Sequence, residues 1–145
     1  MSFPHKFILF FFFGLFLFPA CSSRPSLSAL SPEEVVHLYY ASLNERDYAT
    51  MYSLLSDGFK RIDSQAQDVG TFSAYMQGFF HTATGIEVVS VHEASNDGKE
   101  ARVDYGPLRF GGEQNLSFIS TYALKTQRDG WKLILPYGDN IDTTE

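Results

Sequence analysis

One cysteine, four histidines and a thin scatter of basic residues set the first limits on this chain of 145 residues. Cys21 stands alone, so no internal disulfide can form and the fold must be held by its own core. His5, His37, His81 and His92 show no pairing at helical or hairpin spacing, so no metal-ligand set is legible and no cofactor is expected. A phosphate-cradling loop is missing as well, because Gly111-Gly112 reads as a hairpin turn with no helix after it, and no Gly-x-Ser-x-Gly nucleophile elbow occurs. Arg24, Arg46, Lys60, Arg61, Lys99, Arg102, Arg109, Lys125, Arg128 and Lys132 are spread along the chain without forming a stripe, which removes nucleic acid from the expected partners. The one long apolar run, residues 7–18, falls short of the roughly 20 residues needed to cross a bilayer.

That run has another reading. It follows a short start carrying Lys6 and ends at Phe18-Pro19-Ala20-Cys21, the layout of an export signal. The ending resembles the lipobox of bacterial lipoproteins, matched at Ala20 and Cys21 and departing from the family pattern at Phe18 and Pro19. The resemblance implies a signal peptide over residues 1–20 and lipidation of Cys21. Each buried methylene contributes about 0.8 kcal/mol, and stable anchoring takes more than one acyl chain; the lipoprotein modification supplies two or three. With Ser22 next in line, the expected location is the outer membrane facing the periplasm in a diderm host, or the outer face of the cell membrane in a monoderm one. The alternative is a stray or cross-linking thiol behind an ordinary or uncleaved signal.

Without residues 1–20 the chain keeps ten Lys and Arg against seventeen Asp and Glu, a formal charge of −7. The 125 remaining residues suit one domain, which buries roughly 65 to 70% of its unfolded surface. Its 6 Phe, 8 Tyr and 1 Trp give that core a generous aromatic supply. Residues 21–30 are rich in serine and read as a flexible tether, residues 31–137 as the domain, and 138–145 as a polar tail.

The domain opens on Ser31-Pro32-Glu33-Glu34, a capping box with proline at the first helical position. Val35, Val36, Tyr39, Tyr40 and Leu43 then line one helix face, with Glu33, His37 and Asn44 on the other. Asp47 caps a second predicted helix through Tyr48, Met51, Tyr52 and Leu55, broken by Asp57-Gly58. Thr71 is the expected cap of a third, with the stripe Phe72, Tyr75, Met76, Phe79 and Phe80, ending before Gly85. The period then changes to two. A strand over residues 86–93 has its apolar parity shifted at Val88-Val89, which predicts a bulge there. Asn96-Asp97-Gly98 turns into a strand with Ala101, Val103 and Tyr105 on one face and Arg102 and Asp104 on the other, interrupted at Gly106-Pro107. After Gly111-Gly112 one long strand carries Leu116, Phe118, Ser120, Tyr122 and Leu124 on one face. Arg128-Asp129-Gly130 closes a last hairpin, with Trp131, Leu133 and Leu135 sharing a face.

The fold expected is α+β: three N-terminal helices packed on a curved antiparallel sheet of about four strands. The opening Ser31-Pro32-Glu33-Glu34-Val35-Val36, then Tyr39-Tyr40-Ala41-Ser42-Leu43, Asp47-Tyr48 and the closing Asp129-Gly130-Trp131-Lys132-Leu133 resemble the nuclear transport factor 2-like superfamily, closest to its small bacterial lipoproteins. The resemblance implies a cone-shaped, cystatin-like roll with a pocket between helices and sheet. Members of that superfamily include isomerases, dehydratases, epoxide hydrolases and binding modules, so the fold does not choose the function.

Two sets of residues compete for it. Tyr39, Tyr40, Tyr75, Phe79, Tyr122 and Trp131 are candidates to line a pocket in which phenols orient a ligand, although tyrosines at such spacing also simply pack. His92, Asp104 and Tyr105, with Arg102, lie on neighbouring predicted strands and are the candidates for acid-base chemistry, although alternating charge also marks the solvated side of a strand. The leading expectation is a membrane-tethered, non-enzymatic binder of a small apolar ligand or envelope protein. Its rival is an isomerase, dehydratase or hydrolase working in the cone. Dimerisation through Ile119, Ala123 and Ile134 on the outer sheet face is a third expectation. For the anchor, Cys21→Ser should abolish lipid labelling and release the protein from membranes; retention in the membrane fraction would mean that the signal itself is the anchor.

Overall fold

The computed structural model describes residues 26–79, 85–111, 114–116 and 119–134. Its first helix, α1 (Pro32–Glu45), begins as the sequence predicts. The Ser31 hydroxyl accepts from the Glu34 amide at 3.2 Å, and the Glu34 carboxylate accepts from the Ser31 amide at 2.7 Å. The closed box sets the helix phase, and Val35, Val36, Tyr39, Tyr40 and Leu43 are all buried by it.

The next segment departs from expectation twice. α2 (Tyr48–Ser53) stops before Leu55, because Leu54 to Ser56 leave the helix to pair with the last strand: the Leu133 amide donates to Leu54 and the Ser56 amide to Leu133, at 2.7 and 2.9 Å. Asp57-Gly58 does not break the chain either. The Ser56 hydroxyl accepts from the Phe59 amide and starts α3 (Asp57–Ile62), which buries Phe59. Among the described residues, four α-helices therefore stand where three were predicted. The last, α4 (Val69–Phe79), starts two residues before the expected cap, since the Asp68 carboxylate takes both the amide and the hydroxyl of Thr71, at 2.8 and 3.0 Å. Phe72 and Met76 face the core. Phe80 and His81 fall outside the described residues.

The sheet consists of β1 (Glu87–Asn96), β2 (Glu100–Phe110), β3 (Gln114–Leu116), β4 (Ser120–Gln127) and β5 (Gly130–Ile134), all antiparallel. Its order is β1-β2-β4-β5, and β3 pairs with the far end of β2, so among the described residues the sheet is four strands wide. The predicted single long strand is thus β3 and β4. The predicted bulge moves too: pairing of β1 with β2 keeps one register from Glu87 to Glu93 and shifts between Glu93 and Ser95. β2 is not interrupted at Gly106-Pro107, which lies inside the strand with a cis peptide. Ala101, Val103, Tyr122, Leu124 and Leu133 form the inner face, closed by the helices into one core.

Residues 26–30, expected in the tether, belong to the fold. Leu27–Ala29 form a short 3-10 turn, and Leu30 is buried. The turn lies against the β4–β5 hairpin at Gly130, where φ is +114° and a Cβ would sit 2.5 Å from the Leu27 carbonyl oxygen, so only glycine fits. Lys132 is buried beside that hairpin, its ammonium donating to the Ser53 carbonyl and to Asp129 at 2.6 and 2.7 Å.

Two polar side chains lash α1 to β1. The Glu33 carboxylate accepts from the Glu93 amide at 2.7 Å, next to the bulge. At the other end Asn44 donates to the Ile86 carbonyl at 2.7 Å and accepts from its amide at 2.8 Å. Removing a side chain that satisfies two backbone groups at a buried residue costs about 1 to 3 kcal/mol. Asn44→Ala should lower the unfolding free energy measured in urea by that amount, and a loss below about 0.5 kcal/mol would show water replacing the clamp.

Candidate functional site

The helix phase and the strand register bring four tyrosines together under α1. Tyr122 pairs with Val103 and Tyr105 with Ser120, so Tyr105 and Tyr122 are diagonal neighbours on the inner face. Their rings stack with centroids 4.4 Å apart and planes 15° from parallel. Tyr40 descends from α1 onto both, 5.7 Å from Tyr105 and 6.5 Å from Tyr122, with its hydroxyl 3.2 Å from that of Tyr122. Tyr39 stands edge-on to Tyr40 at 5.7 Å and to Tyr122 at 6.2 Å. Tyr39, Tyr40 and Tyr122 are buried, whereas Tyr105 is only half-buried and forms the accessible edge.

Burial raises the pKa of Tyr39, and the nearby Tyr105 and Tyr75 phenols add to the rise. Burial likewise raises Tyr40, against the hydrogen bond from Tyr122 and with a contribution from Tyr105. Tyr122 is pushed up by burial and then by Tyr39 and Tyr40. These phenols are neutral across the physiological range and act as hydrogen-bonding groups, not as bases. The Tyr40 hydroxyl interacts with those of both Tyr122 and Tyr105; three hydroxyls hold three hydrogens and spend two within the set, which leaves it one donor.

The remaining pocket candidates scatter. Tyr75 is 37% exposed on α4 and reaches the cluster through its influence on Tyr39. The side chain of Phe79 lies outside the described residues. Trp131 is half-buried on β5 opposite Thr126, toward the hairpin turn and away from Tyr122.

The acid-base set is divided by the sheet. His92 and Asp104 are cross-strand partners on the outer face, where the Asp104 carboxylate accepts from the Thr121 hydroxyl at 2.5 Å. His92 and Arg102 are exposed there. Tyr105 follows Asp104 in β2 and therefore projects to the inner face, so no substrate atom touches all three. Of the three residues expected at a dimer face, Ile119 is 66% exposed, Ala123 is half-buried and Ile134 is buried. A pocket of about 290 Å³ lies at the β1–β2 turn end of the sheet, bounded by Asn96, Asp97, Arg102, Ala123 and Ile134, and does not include the tyrosines. Among the described residues no group of His, Cys, Asp or Glu is placed to hold a metal, and no helix is long and apolar enough to cross a membrane. Sequence reasoning missed the membership of Tyr105 in the aromatic cluster, although its alternation with Ala101 and Val103 carried the signal. It also missed Asn44, for which a helix polar face gives no sign of a strand amide waiting opposite.

The model of the SnoaL-like domain family matches residues 33–135. Among solved structures, a SEC-C motif containing protein from Rhodopseudomonas palustris is 16% identical over 73% of this chain and 77% of its own, with a TM-score of 0.52. A candidate calcium/calmodulin-dependent protein kinase type II association domain from Thiobacillus denitrificans is 19% identical over 76% and 93%, with a TM-score of 0.50. A candidate dehydratase of the NTF2-like family from Streptomyces avermitilis is 19% identical over 70% and 89%, with a TM-score of 0.47. For the first two, at such identities, the likeness is one of fold. No curated protein matches the chain.

The cluster has an alkaline signature. A phenol whose folded pKa exceeds its unfolded value of 10.0 keeps its proton in the fold after the unfolded chain has lost it, so stability falls as pH rises above that value. Three such phenols acting together steepen the loss to as much as about 4 kcal/mol per pH unit. A spectrophotometric titration should leave Tyr39, Tyr40 and Tyr122 silent until the protein unfolds. All eight tyrosines ionising together near pH 10 in the folded protein would contradict this.

Proposed function

The chain belongs to the SnoaL-like domain family of the nuclear transport factor 2-like superfamily, and from that premise we propose that it is a membrane-tethered envelope lipoprotein whose domain binds a small, uncharged, ring-containing ligand without transforming it. The observation that carries the reading is the separation of chemistries across the sheet. The inner face presents a stacked cluster of phenols with one donor to spare, while His92 and Asp104 sit on the outer face. Desolvated phenols favour a ligand that stacks and accepts a hydrogen bond, and they offer nothing to neutralise a buried charge. Tyr105, the half-exposed edge of the cluster, is the contact point for such a ligand. Tethering rests on the signal-like residues 1–20 and Cys21, and it locates the domain on an envelope membrane surface.

The reading is tested with two naphthalene dyes of similar size, neutral prodan and anionic anilinonaphthalene sulfonate, titrated into the protein. Prodan should bind with the tighter Kd, and Tyr105→Phe should weaken it by about 1 to 2 kcal/mol, a five- to thirty-fold loss, without lowering the melting temperature. Tighter binding of the anion, or indifference to Tyr105→Phe, would remove the phenol cluster as the ligand site.

A further inference from the structure

The two ends of the sheet differ in their distance from Ser26, the first described residue. Ser26 and the turn Leu27–Ala29 are fixed to one end, since β5 packs on that turn and Gly130 lies against the Leu27 carbonyl. The same end gathers the two hairpin turns, 97–99 and 127–130, joined where the Thr126 amide donates to the Lys99 carbonyl at 2.8 Å. The Asp57 amide, at the start of α3, reaches it through Gln127. At the opposite end β1 begins and β2 finishes, with Gly85 close to Gly111. Along β2 the nine steps from Glu100 to Arg109 separate the ends by about 30 Å.

Only residues 22–25 stand between Cys21 and Ser26. Whatever path they take, five Cα steps reach no farther than about 18 Å. A ten-residue tether of the kind the sequence suggested would let the domain stand off and turn freely, and the docked turn removes half of it. We infer that in the lipidated protein the end carrying turns 97–99 and 127–130 is held against the lipid surface, with 85–87 and 109–111 directed away from it. The inference rests on the lipoprotein reading of Cys21. Charge is not what orients the domain, because Lys99 and Arg128 at the near end are matched by Asp97 and Asp129. The orienting element is the short leash and its point of attachment.

The test uses the full lipidated chain in phosphatidylethanolamine–phosphatidylglycerol vesicles. With the Cys21 thiol acylated, the exposed positions in R128C and R109C each take one donor dye, and energy transfer to acceptor-labelled headgroups is measured. Transfer from R128C should be at least two-fold greater than from R109C. Inserting twenty Gly and Ser residues after Arg24, with a root-mean-square span of about 25 Å, should bring the two together. Equal transfer in the short-leash protein, or greater transfer from R109C, overturns the orientation while leaving the anchor intact. Failure of the purified chain to co-sediment with vesicles overturns the anchor, and the orientation with it.

Discussion

The fold depends on how α1 is laid against β1. Its apolar stripe is continuous from Val35 to Leu43, but a hydrophobic face alone leaves a helix free to slide and roll on a sheet. Glu33 and Asn44 remove that freedom by engaging backbone groups at Glu93 and Ile86, near the two ends of the strand. Once these are joined, the height at which Tyr39 and Tyr40 meet the sheet is set. The Tyr40–Tyr122 hydroxyl contact and the stacking of Tyr105 on Tyr122 both follow from it. The capping box at Ser31 belongs to the same constraint, since it fixes where the helix begins and therefore which side chains point inward.

Much of this was legible in the sequence because the signals were local. The capping box, the α1 stripe, the Asn96-Asp97-Gly98 turn and the inward set Ala101 and Val103 all depend on neighbours in the chain, and each lies where periodicity put it. The misplacements were made by partners distant in sequence. α2 loses its last residues to a bridge with Leu133, and Asp57-Gly58 is carried into a helix by the preceding Ser56. The bulge sits beside the Glu33 contact and not at the apolar parity shift. Residues 26–30 have tether composition, yet Leu27 and Leu30 find the core through a glycine a hundred residues away.

The candidate site shows the same division. Tyr39, Tyr40 and Tyr122 could be named from their faces, and they converge. His92, Asp104 and Tyr105 were grouped because their strands are adjacent, but adjacency in a sheet brings chemistry together only when parity agrees, and Tyr105 has the opposite parity to Asp104. Moving Tyr105 from the acid-base set to the aromatic one turns two weak groupings into a single one. What it forms is a stacked aromatic surface, at which we propose a ligand is held, on a fold that elsewhere in its superfamily supports both binding and catalysis.

Native mass spectrometry of the full chain released from membranes tests that claim most directly. The account predicts an adduct of a neutral, ring-containing compound at one per chain, lost when Tyr40 and Tyr122 are both changed to phenylalanine although the domain remains folded. An adduct bearing a carboxylate or phosphate, or one that persists in the double variant, would contradict it.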